Sequence, residues 1–192
     1  LRDLEDNALG TFNHSLVGGT LADRAANQSG ANSQLARAMA YYHDLGKTEN
    51  PTMFVENQIG YTNPHESLLP SESANIIKSH VTEGVKLAKR FKIPEIVYKG
   101  IIEHHGDGVI RYFYEKEKSE NSDDLKEDFR HLGQKPTSKE SAILMLADSI
   151  EAACRAIFMI ADADEEKIKR DIDEIFKKKI TDEQKGKEAR TR

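Results

Sequence analysis

Only one cysteine, Cys154, occurs in the 192 residues, so no internal disulfide can form and the composition fits a reducing compartment. Long apolar runs are missing too. None approaches the ~20 residues that span a bilayer, and no signal peptide opens the chain. The chain starts on Leu1 rather than Met, which reads as a piece of something longer. Proline and glycine are sparse, at 5 and 12 residues, and this argues against a loop-dominated fold. There is no excess of positive charge: a net charge of -5 offers no general attraction for DNA. Strand-like alternation is scarce, and no G-x-x-x-x-G-K-[ST] phosphate loop is present. "ADADEEKIKRDIDE" opens like a calcium loop, but Lys167 takes the sixth position from Asp162, where the turn requires glycine. Cys154 has no local cue for nucleophilic use and reads as a small buried apolar residue.

What is present is helical spacing along almost the whole chain, which predicts an all-α domain. Leu16, Thr20, Leu21 and Ala25 mark a helix after Asn13-His14, with His14 following a turn. Leu35, Ala38, Met39 and Tyr42 form a second helical face leading into His43. Residues 49–70, with three prolines, read as a long ordered loop. Helices resume over 71–78, 79–91 and "PEIVYKGIIEHH". Residues 115–136 are dense in charge and read as a mobile excursion. "TSKESAILMLADSIEAACRA" should be the central buried helix, started by a Thr137–Glu140 capping box. Ile168, Ile172, Ile175 and Phe176 predict a last amphipathic helix before a frayed tail. The expected division is 1–160 for the main domain and 161–192 for that helix and tail.

The histidines and aspartates carry the chemistry. In "AYYHDLGKTEN" a helix stops on His43-Asp44, turns at Gly46 and leaves Lys47 exposed. Neighbouring helical residues do not face one another, so two ligands there need a bend, which Gly46 permits. His80 follows a helix junction, and His104-His105 ends a helix before Gly106. Asp148 lies in the most apolar helix, where an unpaired carboxylate would cost several kcal/mol. A cationic partner, arginines or a metal, is required. His14, His43, His80, His104 and His105 with two carboxylates and no thiolate suit a first-row transition metal rather than calcium. Seven ligands suit two ions bridged by a carboxylate, roughly 3.5–4 Å apart.

His14, His43-Asp44 and Asp148, in that order on helices, resemble the HD superfamily of metal-dependent phosphohydrolases. His80 and His104-His105 resemble its two-metal subset. "GTFNHS", "YYHDLGK", "FVENQ", "NPHESLLPS", "SHVTEGVKLAK", "IIEHHG" and "AILMLADSIEAACR" are similar to the cytoplasmic HD domain of seven-transmembrane HD proteins, the PgpH-type cyclic di-AMP phosphodiesterases. The likeness covers residues 8–156. "HHGDGVIRYFY" lacks the glycine-tyrosine-proline signature of the HD-GYP family, which cleaves cyclic di-GMP. Departures fall after Arg155, where a proline-containing turn is missing, and in the 115–135 segment.

The resemblance implies a helical HD bundle with an inserted loop and a two-metal pocket. By motif, His14, His43, Asp44 and Asp148 would hold one ion. Asp44 would bridge to a second, completed by His80, His104 and His105. Iron or manganese is the implied metal. A hydroxide bridging the ions would open cyclic di-AMP to linear pApA, with Asp44 and Lys47 as catalytic residues. Lys47 is either a contact to a non-bridging phosphoryl oxygen or a solvated loop lysine. His65, Tyr61 and Tyr112 are the candidate substrate contacts, while Phe54 and Phe113 fit the core better and His131 reads as surface. A missing upstream segment would attach the domain to the inner face of the cell membrane. The alternatives are hydrolysis of cyclic di-GMP, an alarmone, a deoxynucleotide or short RNA, or a nucleotide-sensing module without turnover.

Overall fold

The computed structural model describes residues 1–58, 60, 62–117, 124–158, 166, 169, 170, 172–174 and 177. Among them the helices are α1 (Arg2–Asn7), α2 (Leu9–Ser29), α3 (Ser33–Tyr42), α4 (Pro70–Arg90), α5 (Glu95–Glu103), α6 (Arg111–Glu117) and α7 (Lys139–Phe158). Extended pairing among the described residues is limited to an isolated antiparallel bridge between Val109 and Arg130. No described helix is long and apolar enough to cross a membrane. The chain divides into two compact units, Leu1–Met145 and Leu146–Arg192.

In the first unit α2 packs against α3. Gly30, in the left-handed region at φ +67°, ends α2, and the Asn32 side chain caps α3 by accepting the Leu35 N–H at 3.0 Å. The second helix starts at Leu9, so His14 lies inside it rather than after a turn. Pro70 opens α4, whose Glu72 carboxylate accepts the Leu69 N–H at 3.0 Å. The expected junction at 78/79 is absent: α4 runs unbroken for 21 residues. The Ser79 hydroxyl donates to the Ile76 carbonyl at 2.7 Å, bonding back into its own helix instead of capping a new one. His80 is therefore a mid-helix residue.

The 49–70 loop is ordered by 3-10 turns at Pro51–Met53, Val55–Asn57 and Pro64–Glu66. The charged 115–136 segment is less free than its composition suggests, although residues 118–123 lie outside the described set. Phe129 within it is buried with Ala74, Phe113 and Tyr114. Its carbonyl accepts the Ile110 N–H at 2.8 Å, so one large apolar side chain anchors the charged stretch. A second cluster joins Leu4, Ala8, Leu45 and Leu87, and a third joins Val81, Ala88 and Ile101.

The start of α7 differs from expectation. Ser138 and Ser141 cap each other, Ser141 N–H donating to Ser138 Oγ at 3.1 Å and Ser138 N–H to Ser141 Oγ at 3.2 Å. Thr137 is engaged elsewhere, donating its N–H and hydroxyl to the buried Glu103 at 2.9 and 2.7 Å. Glu140 instead accepts the Asn32 N–H at 2.8 Å. In the second unit, Glu151 pairs with Arg155 at 3.3 Å, and Cys154 is half-buried rather than buried. The helix expected around Ile168, Ile175 and Phe176 lies largely outside the described residues.

Candidate metal centre

The third helix stops at Tyr42, and the chain leaves it through His43 (φ −58°, ψ −33°) and Asp44 (φ −105°, ψ 18°) into a 3-10 turn, Leu45–Glu49. This change of geometry brings two adjacent side chains to one point, His43 Nε2 lying 3.2 Å from Asp44 Oδ2. Gly46 contributes space rather than a bend, since its φ is not among the positive ones. A Cβ there would sit 1.9 Å from the His80 carbonyl oxygen and 2.5 Å from the Gly84 nitrogen. The turn thus rests directly on α4, at His80.

Asp44 is 1% exposed and its two oxygens face different partners. Around Oδ2 lie His43 Nε2, His14 Nε2 at 3.7 Å and Lys47 Nζ at 2.7 Å. Around Oδ1 lie His80 Nε2 at 3.5 Å and His104 Nε2 at 3.6 Å. The ligand atoms of His80, His104 and His105 fall within 4.8 Å of one another, as do those of His43, Asp44 and His104.

The donor set fits a cation. His43 Nδ1 donates to the Ala40 carbonyl at 2.7 Å, His80 Nδ1 to Ile77, and His104 Nδ1 to Ile101 at 2.9 Å. A carbonyl only accepts, so each ring carries its proton on Nδ1 and, when neutral, presents a bare lone pair at Nε2. Two of those lone pairs converge, His80 Nε2 lying 3.2 Å from His104 Nε2, and His14 Nε2 lies 3.3 Å from His43 Nε2. Two lone pairs at that distance repel unless something positive lies among them. Buried Asp44 Oδ1, moreover, has no hydrogen-bond partner among the described residues. An orphaned carboxylate oxygen facing imidazole lone pairs is what a divalent ion satisfies. These groups can hold metal.

Charge is set accordingly. Burial acts to raise the Asp44 carboxyl, but neighbouring His43 and the Lys47 ammonium hold it well below the usual carboxylate range. Burial pushes His80 down to about 3, against the pull of Asp44, so it is neutral as a ligand must be. Lys47 is raised: burial opposes this, but Asp44 and Glu56 outweigh it. Glu56 is lowered, chiefly by Lys47 acting against its burial. The expectation of an exposed Lys47 is therefore corrected. Its side chain is 13% exposed because two carboxylates, each at 2.7 Å, fold it inward.

The other expected residues are distributed more widely. Asp148 is buried on the part of α7 that belongs to the second unit. His65 is 7% exposed, its Nε2 donating to the Met53 carbonyl at 2.8 Å and its ring 5.1 Å from that of Phe113. Phe54 and Phe113 are buried, as expected of core residues. Tyr112 is 59% exposed, with Lys116 Nζ 4.6 Å from its ring centre. Tyr61 lies outside the described residues. Two residues near the site were missed by sequence reasoning. Glu56 sits in "FVENQ" but has no helical relation to Lys47. His131 reads as surface because of the charges around it, yet its half-buried ring lies 4.2 Å from that of His105.

Comparison with known proteins gives consistent matches. The family model described as HD domain matches residues 11–153. The chain is 43% identical over 157 residues to the cyclic-di-AMP phosphodiesterase PgpH of Bacillus subtilis, covering 82% of this chain and 22% of that protein. It is 42% identical to PgpH of Listeria monocytogenes over 156 residues, 81% of this chain and 22% of that one. The chain thus spans about a fifth of the length of these curated relatives. The crystal structure of the Listeria monocytogenes PgpH HD domain in complex with cyclic-di-AMP superimposes with a TM-score of 0.87 at 39% identity, covering 95% of this chain and 84% of that one.

Proposed function

This chain belongs to the HD domain family, and from that premise we propose that it hydrolyses cyclic di-AMP to linear pApA at a centre of two divalent transition-metal ions, iron or manganese. The observation that carries the reading is the division of Asp44, one oxygen toward His14 and His43 and the other toward His80 and His104. A carboxylate so divided suits two ions rather than one. His14, His43, Asp44 and Asp148 would hold the first; Asp44, His80, His104 and His105 would hold the second. For Asp148 the support is its place in the sequence pattern and its position inside the family match. When bound, the ions would acidify water near neutral pH and neutralise charge on the phosphoryl oxygens.

The protein's own part is positional. His43, His80 and His104 are held by backbone carbonyls, so no ring must turn to receive its ligand. Lys47 would donate to a non-bridging phosphoryl oxygen while its other contacts keep it in place. The exposed Tyr112 ring is available to stack on an adenine, and Tyr61 is retained as a second candidate. The burial of His65 favours holding the loop in shape over touching substrate. Likeness to a chain crystallised with cyclic-di-AMP supports adenine over guanine. The resemblance to seven-transmembrane HD proteins supports a place on the cytoplasmic side of the membrane, joined to segments outside this chain. Chromatography of reactions with cyclic di-AMP and cyclic di-GMP, on protein assayed for bound metal, tests the reading. Cleavage of cyclic di-AMP in preference is expected; metal binding without turnover of either would overturn it.

A further inference from the structure

We propose that Glu56 is a positioning residue for this centre: its carboxylate holds the Lys47 ammonium beside Asp44, so that Lys47 meets a phosphoryl oxygen at one fixed position. The inference rests on the phosphodiesterase reading above.

Lysine carries a flexible four-carbon stem and a compact charge. With Asp44 as its sole partner, that charge could swing, and it would compete with cations for the same carboxylate. The geometry restrains the swing and divides the ammonium between two carboxylates. Lys47 Nζ lies 2.7 Å from Glu56 Oε1 as well as 2.7 Å from Asp44 Oδ2, and 5.0 Å from the centre of the buried Phe54 ring. Two carboxylates share the ammonium, and an aromatic face limits its travel.

Glu56 is itself immobilised. The Thr11 hydroxyl donates to Glu56 Oε1 at 3.0 Å. The next residue, Asn57, closes the clamp: its Oδ1 accepts the Thr11 N–H at 3.1 Å and its Nδ2 donates to Thr11 Oγ1 at 2.9 Å. Contact this close needs glycine on α2, because a Cβ on Gly10 would lie 1.9 Å from the Glu56 carbonyl oxygen. Thr11 stands almost one helical turn before His14. One carboxylate thereby links the helix that carries His14, the turn that carries Lys47, and the long loop.

A purely loop-pinning Glu56 would act independently of Lys47, and a double-mutant cycle separates the two roles. With cyclic di-AMP and manganese, Glu56→Gln is expected to lower kcat roughly 10²-fold, leaving KM and bound metal per chain near wild type. In a Lys47→Ala background the same change should cost nothing further. Additive losses, or a parallel loss of metal, would overturn the proposal. A second readout does not depend on turnover: nitrogen-15 spectra of lysine side chains should show a slowly exchanging ammonium signal that Lys47→Met removes and Glu56→Gln also removes. Its persistence in Glu56→Gln would count against the role even if the wild type cleaved no cyclic dinucleotide, a result that would refute the phosphodiesterase reading separately. Should Glu56→Gln not fold, Thr11→Val, which keeps the charge but removes the supporting hydroxyl, is expected to give a smaller fall that also vanishes in the Lys47→Ala background.

Discussion

Asp44 and His80 carry opposite burdens at the residue scale. Asp44 is a buried anion whose Oδ1 lacks a hydrogen-bond donor among the described residues; His80 is a buried base kept neutral. Asp44→Ala removes the carboxylate shared by both halves of the site, so metal analysis should find both ions bound poorly and activity at background. Lys47→Ala should leave metal in place while turnover falls, and equal metal loss in both variants would show that Lys47 acts in the ligand set. For the metal-free protein the sign of the pH dependence follows from His80. Its folded value of about 3 lies below its ordinary 6.5, so between them the unfolded chain binds more protons than the folded one. Stability is fully present above 6.5 and declines as pH falls toward 3. Thermal melts in chelator across that window should show the slope, and His80→Gln should flatten it.

Helix ends and close approaches decide what each element contributes. Gly46 lets the Leu45–Glu49 turn touch α4, and a methyl group there would meet backbone, which cannot step aside as a flexible side chain can. Gly46→Ala should destabilise the fold by about 1–3 kcal/mol and weaken metal binding together, as read by denaturant titration and metal content. Most of the helices were legible because helical spacing is a local signal, and the His-Asp pattern singled out His43, Asp44, His80, His104 and His105, whose side chains the structure gathers. The unbroken α4 was not, since a serine before a polar residue looks the same whether it caps a new helix or bonds back to Ile76. The contact that holds Glu56 beside Lys47 was hidden for a related reason. Thr11 and Glu56 are 45 residues apart and meet only through tertiary packing. Phe129 and His131 were masked by charge density, although a single aromatic side chain suffices to pull that stretch onto the core.

Across these 192 residues, a net charge of -5 would give an anionic dinucleotide no long-range attraction, so under the proposed function capture and chemistry would both fall to the local centre. That centre is dominated by imidazole, with Asp44 at its middle. Imidazole suits manganese or iron and is a poor match for magnesium, which prefers oxygen and retains its waters. Activity should therefore be much stronger with manganese or iron than with magnesium alone. In the proposed roles, one Asp44 and one Lys47 would serve one phosphorus at a time, so the first cut of a cyclic dinucleotide would open the ring. Attack by water with departure of the 3′ oxygen leaves a 5′-phosphorylated linear dinucleotide, pApA. This product is more flexible than the ring and carries extra negative charge, so its remaining phosphodiester must be reoriented before a second cut. Release should come first. Chromatographic time courses are expected to show pApA accumulating with little AMP at early times; AMP as the main early product, or full activity with magnesium alone, would contradict the assignment.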